Sequence, residues 1–267
     1  MLSRGKNYNI EFDDTSKYIH NVRIMTKLTR KQREIIARQE LILDVSAKLI
    51  AEQGFSNFGM ERIAELTEYS KGTIYQHFQC KEEVLMHLCM RGLRIWRDFF
   101  DRALTFRGNS RERLLAIHLA HDFYAKLHPV EYESIYTVKS AGVREKISPE
   151  SHAAQNELMK EVIDRVVIVI TEAIENRDLK LPENMAPQDL VYGFWALHYG
   201  ELMFETFNFP YRNMGIGDLE NNVRLVLRTL LDGLPWEPVS TRHDYAASAE
   251  RIVREIFPEE AASIAMR

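Results

Sequence analysis

The chain of 267 residues contains only two cysteines, Cys80 and Cys89, and no long apolar run. The two cysteines form no Cys-x-x-Cys pair and cannot build a disulfide framework, which suits a reducing cytoplasm. The longest strongly apolar run, 166–170, is far shorter than the roughly 20 residues of a membrane-spanning helix. Acidic residues among the first twenty positions argue against a secretory signal. We therefore expect a cytoplasmic protein with no membrane partner.

The chain also lacks an overall excess of basic residues, because its formal net charge is −4. A nucleic-acid contact therefore has to come from a local basic patch. The segment 17–38 provides a candidate, with Glu34 as its one acid and seven basic residues: Lys17, Arg23, Lys27, Arg30, Lys31, Arg33 and Arg38. This segment is either an arm that contacts DNA or a solvated tail, and composition alone leaves both open.

Strand-like alternation of apolar and polar residues is nearly absent, whereas apolar residues recur at helical spacing throughout. The sequence therefore predicts an all-α fold. Breaks at glycine and proline predict helices over residues 31–53, 60–67, 70–78, 81–106, 110–127, 131–141, 149–176, 188–207, 218–231 and 248–256. Gly54 is expected to end the first of these helices, and the two short helices that follow form a helix-turn-helix.

Residues 70–78, Ser-Lys-Gly-Thr-Ile-Tyr-Gln-His-Phe, carry the strongest functional signal. Ser70 is a good N-cap, and the i,i+4 pair Ile74 and Phe78 shares the face that is expected to pack inward. The side chains left outside are Lys71, Thr73, Tyr75, Gln76 and His77, which offer hydrogen-bond donors and no carboxylate. Such a surface suits phosphates and base edges of a nucleic acid.

This segment and its surroundings resemble the TetR family of transcriptional regulators. The family pattern has Ile-Ala in its second helix, then Ser-x-Gly-Thr-(Leu/Ile)-Tyr-x-(His/Tyr)-Phe, then Lys-Glu and an apolar pair. Here the matching residues are Ile63-Ala64, the 70–78 segment, Lys81-Glu82 and Val84-Leu85. The strong resemblance covers Arg38 to Leu85 only. It implies a basic arm at 1–30, a three-helix DNA-binding domain at 31–86, and a larger helical effector-binding and dimerisation domain at 87–267.

The resemblance also implies roles for individual residues. Lys71, Thr73, Tyr75, Gln76 and His77 match the DNA-reading helix, and Lys81 matches a phosphate-binding residue. The chain departs from the family pattern at the cap of the second helix and in the turn that follows this helix. Gly59 replaces the usual Thr or Ser cap, and Thr67-Glu68-Tyr69 replaces Ala-Gly-Val in the turn, where Glu68 lacks the conformational freedom of glycine. These changes affect the expected operator sequence more than DNA binding itself.

The C-terminal half is expected to hold an effector cavity and a dimer interface, with no cofactor and no metal. Aromatic and methionine walls would suit a small, mostly apolar molecule. The expected effector-binding residues are His121, Tyr124, Tyr136, Met159, Trp195, His198 and Tyr199. By the resemblance, two late helices pair with their mates as a four-helix bundle, through Leu190, Phe194, Leu197, Leu219, Val223, Val226 and Leu230.

Two other classes of function stay open on the sequence. One is an enzyme that uses His118, His121 and Asp122 as acid–base groups or metal ligands, although no HExxH or cysteine cluster supports it. The other is a helical protein-interaction module whose helix-turn-helix is vestigial. The main interpretation is a homodimeric regulator that binds double-stranded DNA. It is expected to act as a repressor in preference to an activator, and its effector is expected to release it from a palindromic operator.

Overall fold

The computed structural model describes residues 29–206 and 209–266, and within these ranges it contains helices and no strand. The all-α prediction is confirmed. None of the helices in the described ranges is long and apolar enough to cross a membrane. Most of the predicted basic arm, including Lys17, Arg23 and Lys27, lies outside the described residues.

Twelve α-helices and one 3-10 helix, Tyr211–Met214, follow one another along the described residues. The α-helices are α1 (Arg30–Asn57), α2 (Met60–Thr67), α3 (Lys71–His77), α4 (Lys81–Ala103), α5 (Ser110–Leu127), α6 (Pro129–Thr137), α7 (Ala141–Arg144), α8 (Pro149–Glu175), α9 (Pro187–Thr206), α10 (Leu219–Gly233), α11 (Tyr245–Ile256) and α12 (Pro258–Ala265). The chain divides into two compact units, Met1–Val84 and Leu85–Arg267, so the division falls inside α4.

The first unit is built on α1, which starts and ends at clear sequence signals. Thr29 caps its N-terminus in a capping box with Gln32, in which each side chain bonds the other residue's backbone N–H. Gly54, with φ of 74°, interrupts the helix where the sequence predicted its end. The buried face contains Ile42, Leu43, Ser46, Leu49 and Ile50. The predicted stripe of Leu41, Val45 and Leu49 is wrong in part, because Leu41 is exposed.

Helices α2 and α3 are joined by a short turn that reverses the chain at Glu68. This residue adopts the left-handed conformation, with φ of 57° and ψ of 23°. Its backbone N–H donates to the Glu65 carbonyl at 3.3 Å, and the next N–H, of Tyr69, donates to the Ala64 carbonyl at 3.2 Å. These bonds satisfy carbonyls at the end of α2, as glycine does at most helix C-termini.

The second unit is organised around α5, which packs against α6, α8, α11 and α12. Because α5 is surrounded, the two charged residues Arg111 and Glu112 in its first turn are buried, and both have partners. Arg111 forms a salt bridge with Asp232 at 2.6 Å and donates to the Trp236 carbonyl at 2.9 Å. Glu112 accepts a 2.7 Å bond from Ser248. Helix α9 packs against α8 and α10 on another side of the unit.

Most predicted helix limits lie within a few residues of the observed ones, and the prediction differs in kind at two places. The predicted helix 131–141 is two helices, because α6 begins at Pro129, a favourable first-turn position, and ends at Thr137. A second short helix, α7, follows it. Helix α12 was not predicted, although Pro258 sits at its start and two acids occupy its first turn.

Candidate functional site

Helix α3 is held in place by a cap at its start and by two anchoring side chains. Ser70 Oγ accepts the Thr73 backbone N–H at 3.1 Å, so the cap predicted from the sequence is present. Ile74 and Phe78 are both completely buried in the first unit. These two anchors fix the rotation of the helix and leave the opposite face outward.

The outward face of α3 presents the residues that the resemblance assigns to DNA contact. Tyr75 is 47% exposed, and Lys71 and Gln76 are also exposed, while Thr73 and His77 are half-buried. Lys71 Nζ lies 3.3 Å from Glu61 Oε1 in an exposed ion pair, which is weak enough to exchange for a phosphate. The face therefore offers a phenol, an amide and an ammonium to an approaching surface.

Lys81, at the start of α4, contacts backbone carbonyl groups at the end of α1. Its Nζ lies 3.3–3.4 Å from the carbonyl oxygens of Phe55, Ser56 and Phe58, and 4.8 Å from the centre of the Phe55 ring. All three donors of the ammonium group can thus be used at the C-terminal end of α1. The contacts give Lys81 a role in stabilising this end of the helix, and its phosphate contact stays a prediction.

The last basic residue of the segment 17–38, which the sequence analysis named as a candidate DNA contact, lies beside α3. Arg38, on α1, has its guanidinium 5.6 Å from the centre of the Tyr69 ring. The pKa of His77 is lowered by burial and by the positive charge of Arg38, which favours the neutral imidazole. Tyr69 is half-buried in the turn. Arg38 is therefore a further candidate for phosphate contact.

The second unit contains a mostly apolar cavity of about 70 Å³. Helices α4, α5, α8, α9 and α10 contribute its walls, with Trp96, Phe100, Leu114, Ile117, His118, His121, Met159, Val162, Ile163, Val166, Val191, Phe194, Trp195, His198 and Leu227. The indole N–H of Trp96 is buried and has no hydrogen-bond partner among the described residues. The cavity thus combines aliphatic walls with a few polar atoms.

Four of the seven predicted effector-binding residues line this cavity: His121, Met159, Trp195 and His198. Tyr124 is completely buried and stacks on Trp96, with ring centres 5.5 Å apart. Tyr136 and Tyr199 lie away from the cavity and border a separate surface pocket together with Trp195. Trp195 Nε1–H donates to the Tyr136 hydroxyl at 3.1 Å, and this hydrogen bond connects the cavity wall to the surface pocket.

Three histidines meet on one side of the cavity. His118 Nδ1 lies 2.8 Å from His198 Nε2, and the ring centres of His121 and His198 are 4.2 Å apart. His121 Nε2 lies 3.1 Å from the Tyr132 hydroxyl. Burial, with a smaller effect from a neighbouring histidine, lowers the pKa of His198 to about 4 and that of His121 well below its usual value. Both rings are therefore neutral near pH 7.

The predicted dimer-interface residues divide into two groups. Leu190, Phe194, Leu219 and Val223 are buried within their own protomer, Phe194 in the cavity wall, and Leu197 is half-buried. Val226 and Leu230 are exposed on α10, and Leu225 beside them is exposed as well. Tyr192 and Tyr199 are exposed on α9, at 71% and 41%. Helical periodicity identified the apolar residues of α9 and α10. It does not tell which of these residues pack inside the same chain and which lie on its outer surface.

Comparison with known proteins connects this geometry to a family. The sequence profile of the bacterial regulatory proteins of the tetR family matches residues 42–88, which include α2 and α3. The region that contains the helix-turn-helix therefore matches the TetR family of regulators. The fatty acid metabolism regulator protein of Bacillus subtilis is 22% identical over 142 residues, which cover 52% of this chain and 69% of that protein.

Two further comparisons concern a regulator of related sequence and a structure of similar fold. The uncharacterized HTH-type transcriptional regulator YhgD of Bacillus subtilis is 33% identical over 86 residues, which cover 31% of this chain and 45% of the relative. A solved structure of a protein of unknown function from Rhodococcus sp. RHA1 has the same fold, with a TM-score of 0.60 at 16% identity, and the match covers 74% of this chain and 95% of that one.

The match to TetR-family regulators excludes one of the two other classes of function left open by the sequence. The matched family and the named relatives are transcriptional regulators and not enzymes, which removes the interpretation of His118, His121 and Asp122 as catalytic groups. His121 and His118 instead contribute to the cavity wall.

Proposed function

We propose that this chain is a cytoplasmic homodimeric repressor of the TetR family, which binds a palindromic operator through α3 and leaves it when a small, mostly apolar molecule fills the cavity of the second unit. The observation that supports DNA reading most strongly is the orientation of α3. Its anchors, Ile74 and Phe78, are fully buried, while Tyr75 and Gln76 are exposed. Side chains on such a face can reach base edges in the major groove.

The proposed effector has an aliphatic body and one hydrogen-bond acceptor, such as a carboxylate. The cavity walls are mainly aliphatic and aromatic, and the buried Trp96 N–H has no partner among the described residues. A carboxylate oxygen could accept from that N–H and remove the cost of leaving it unpaired. The relative named as a fatty acid metabolism regulator supports fatty acids as the first compounds to test.

The size of the cavity supports a coupling between ligand and conformation. Ligand pockets for drug-sized molecules measure about 300–1,000 Å³, whereas this cavity measures about 70 Å³. A fatty acid can therefore bind only a state in which the walls have moved apart, so it shifts the population toward that state.

Helix α4 is the element that we propose to transmit this movement. Trp96 and Phe100 in its C-terminal half line the cavity, and Lys81 in its first turn contacts the C-terminal end of α1. The helix is unbroken between these points. Displacement of Trp96 and Phe100 by a ligand would therefore be carried to Lys81, and would change the spacing of the two α3 helices in a dimer.

A second copy of the chain is proposed to cover the outer face of α9 and α10. Tyr192 and Tyr199 on α9, and Leu225, Val226 and Leu230 on α10, are exposed large apolar or aromatic residues on two helices that pack together. Contiguous patches of this kind mark protein–protein contact sites. A two-fold pair would present α3 twice, which matches an operator with two half-sites.

DNA binding can be tested by fluorescence anisotropy with the promoter DNA of the chain's own gene. Gln76→Ala and Tyr75→Ala should each weaken binding by roughly 5- to 100-fold, because base-edge contacts contribute about 1–3 kcal/mol. Lys180→Ala, which removes an exposed lysine of the second unit, should leave affinity unchanged. If the wild-type chain binds this DNA no better than unrelated DNA, the protein-interaction alternative replaces the proposal.

Effector binding can be tested with saturated fatty acids of short, medium and long chain. Longer chains should dissociate the protein–DNA complex at lower concentration, because they bury more apolar surface. Val166→Phe should reduce this response by filling the cavity, whereas Val166→Ala should preserve it. A response that is the same in both variants would place the effector elsewhere.

A further inference from the structure

A groove of about 420 Å³ lies between helices α5, α10 and α11 of the second unit. Its lining is rich in leucine, and Leu114, Leu227 and Leu231 are buried beneath it. Two of the lining residues on α11 are Ala246 and Ala249, whose small side chains leave the space open. Small-molecule sites usually measure about 300–1,000 Å³. The groove is therefore large enough to hold a small ligand without movement of its walls.

The charged residues that line the groove all have the same sign. They are Arg111, Arg224 and Arg228, and the lining contains no lysine, aspartate or glutamate. Arg111 is buried, and its charge is balanced by Asp232, with Nη1 and Oδ1 2.6 Å apart. Arg224 and Arg228 are exposed and one turn apart on α10, so their side chains lie on the same side of that helix. These two arginines give the rim of the groove a positive charge.

The two rim arginines differ in how far their charges are already balanced. Arg224 has partners of its own, and its Nη2 lies 3.5 Å from Asp122 Oδ2. Arg228 forms no ion pair with any residue in the described ranges 29–206 and 209–266. Its backbone carbonyl accepts from Arg111 Nη2 at 3.3 Å, which ties this part of α10 to α5. Arg228 is thus the rim charge that an anionic group of a ligand would balance.

We propose that this groove binds a single-chain amphiphile with an anionic head group, a carboxylate or a phosphate. The leucine-rich lining takes the alkyl chain, because removing apolar surface from water is favourable. Arg228 binds the head group at the rim, with the charge of Arg224 beside it. A guanidinium group offers several N–H donors in a planar fork that matches the oxygens of a carboxylate or a phosphate. The charge of the rim therefore selects anionic over cationic amphiphiles.

The groove is a different site from the effector cavity, although the two share a wall. Leu114, His118 and Leu227 border both spaces, so one layer of side chains separates them. The cavity measures about 70 Å³, and no arginine or lysine is among the residues that line it. Selection by a positive charge therefore belongs to the groove. Among the lining residues of the groove, Leu225 also belongs to the proposed dimer face, whereas Arg224 and Arg228 do not.

Calorimetric titration of the full-length chain with decanoate tests the proposal in the absence of DNA. The wild type should bind one equivalent in the groove and, on the function proposed above, another in the cavity. Ala249→Phe fills the groove and should remove the first equivalent. Ala247→Phe is the matched control, because Ala247 is exposed on the same helix and does not line the groove. Val166→Phe fills the cavity and should leave the groove equivalent in place.

Head-group selection is the property that a purely apolar groove would not show. In the Val166→Phe variant, decanoate and decyl phosphate should bind at least about fivefold more tightly than decyltrimethylammonium. Arg228→Gln in that variant should weaken decanoate binding by about two- to fivefold, as for an exposed ion pair, and should leave decanol binding unchanged. Arg228→Lys should keep most of the preference. Arg107→Gln, which changes an exposed arginine outside the groove, should have no effect.

Circular dichroism establishes that each variant is folded, and Arg228→Gln, which changes an exposed side chain, decides the matter if Ala249→Phe does not fold. Decanoate binding that is absent in the wild type, or unchanged in both variants, overturns the proposal. Unchanged binding together with monomers of Ala249→Phe in sedimentation also overturns it, and assigns the groove to a second copy of the chain. Loss of the sole equivalent in Val166→Phe would overturn the groove site but support the effector cavity. Loss of the sole equivalent in Ala249→Phe would do the reverse.

Discussion

Replacing Glu68 by glycine should stabilise the helix-turn-helix, although it removes a side chain. Glu68 occupies the left-handed region with φ of 57°, where an L-residue other than glycine, asparagine or aspartate is strained by about 1–2 kcal/mol. Glycine removes this strain, but it also gives the unfolded chain more freedom, which costs about 0.5–1 kcal/mol. The net expectation is stabilisation by about 0.5–1 kcal/mol.

Amide hydrogen exchange of the full-length chain is the suitable assay, because it reports on the two units separately. A gain of 0.5–1 kcal/mol corresponds to about two- to fivefold slower exchange for amides of residues 60–78 that open together. Glu68→Ala keeps a Cβ atom and hence the strain, so it should show no such slowing. Faster exchange in the glycine variant than in Glu68→Ala would refute the strain argument.

The same two variants separate strain from charge in DNA binding. Glu68 is exposed in the turn before α3, and its carboxylate is repelled by phosphates if the turn faces DNA. Glu68→Ala and Glu68→Gly should then both tighten operator binding, and the gain should shrink as salt is added. Equal affinity in all three proteins at low salt would mean that the turn faces away from DNA.

Four further predictions follow from individual contacts. Lys81→Ala should destabilise the first unit by about 1–3 kcal/mol, because its carbonyl contacts are lost, and hydrogen exchange should detect the change. An unchanged stability together with a reduced salt slope of DNA binding would mean that Lys81 acts on phosphate and not on the fold. Val226→Asp should give monomers in sedimentation, because Val226 is exposed, whereas Phe194→Asp should chiefly unfold the second unit, because Phe194 is buried. The reverse pattern would mean that the dimer interface contains Phe194 and not Val226. Gly92→Ala should lower the free energy of unfolding by about 1–3 kcal/mol, because the added Cβ would lie 2.7 Å from neighbouring side-chain atoms. An unchanged thermal unfolding curve would show that these side chains move aside without cost. Deleting residues 1–28 should flatten the salt dependence of DNA binding, and an identical slope would make that segment a passive tail.

Local sequence patterns predicted the helices and the reading surface well, because these features depend on neighbours in the chain. The cap at Ser70, the inward pair Ile74 and Phe78, and the end of α1 at Gly54 all follow from short-range hydrogen bonds, φ preferences and helical spacing. The left-handed conformation at Glu68 also follows, once the family pattern shows glycine there. Each of these residues is close in sequence to its partners.

Features that depend on packing between distant helices were not predictable in the same way. His118 and His198 are 80 positions apart, and only the packing of α5 and α9 in one unit brings them within 2.8 Å. Lys81 matches a phosphate-binding position by spacing, but the carbonyls it contacts come from residues more than 20 positions earlier. Phe194 and Val226 both lie on apolar helix faces, and periodicity does not tell which face is covered by the same chain.

Hydroxyl-radical footprinting of the full-length chain on the promoter DNA of its own gene tests the central claim most directly. A symmetric dimer that inserts α3 into successive major grooves predicts two protected half-sites related by a dyad, with centres about 10 base pairs or a multiple apart. Gln76→Ala should weaken both half-sites together. Protection of a single asymmetric segment, or none at concentrations where the chain is folded and dimeric, would contradict the account.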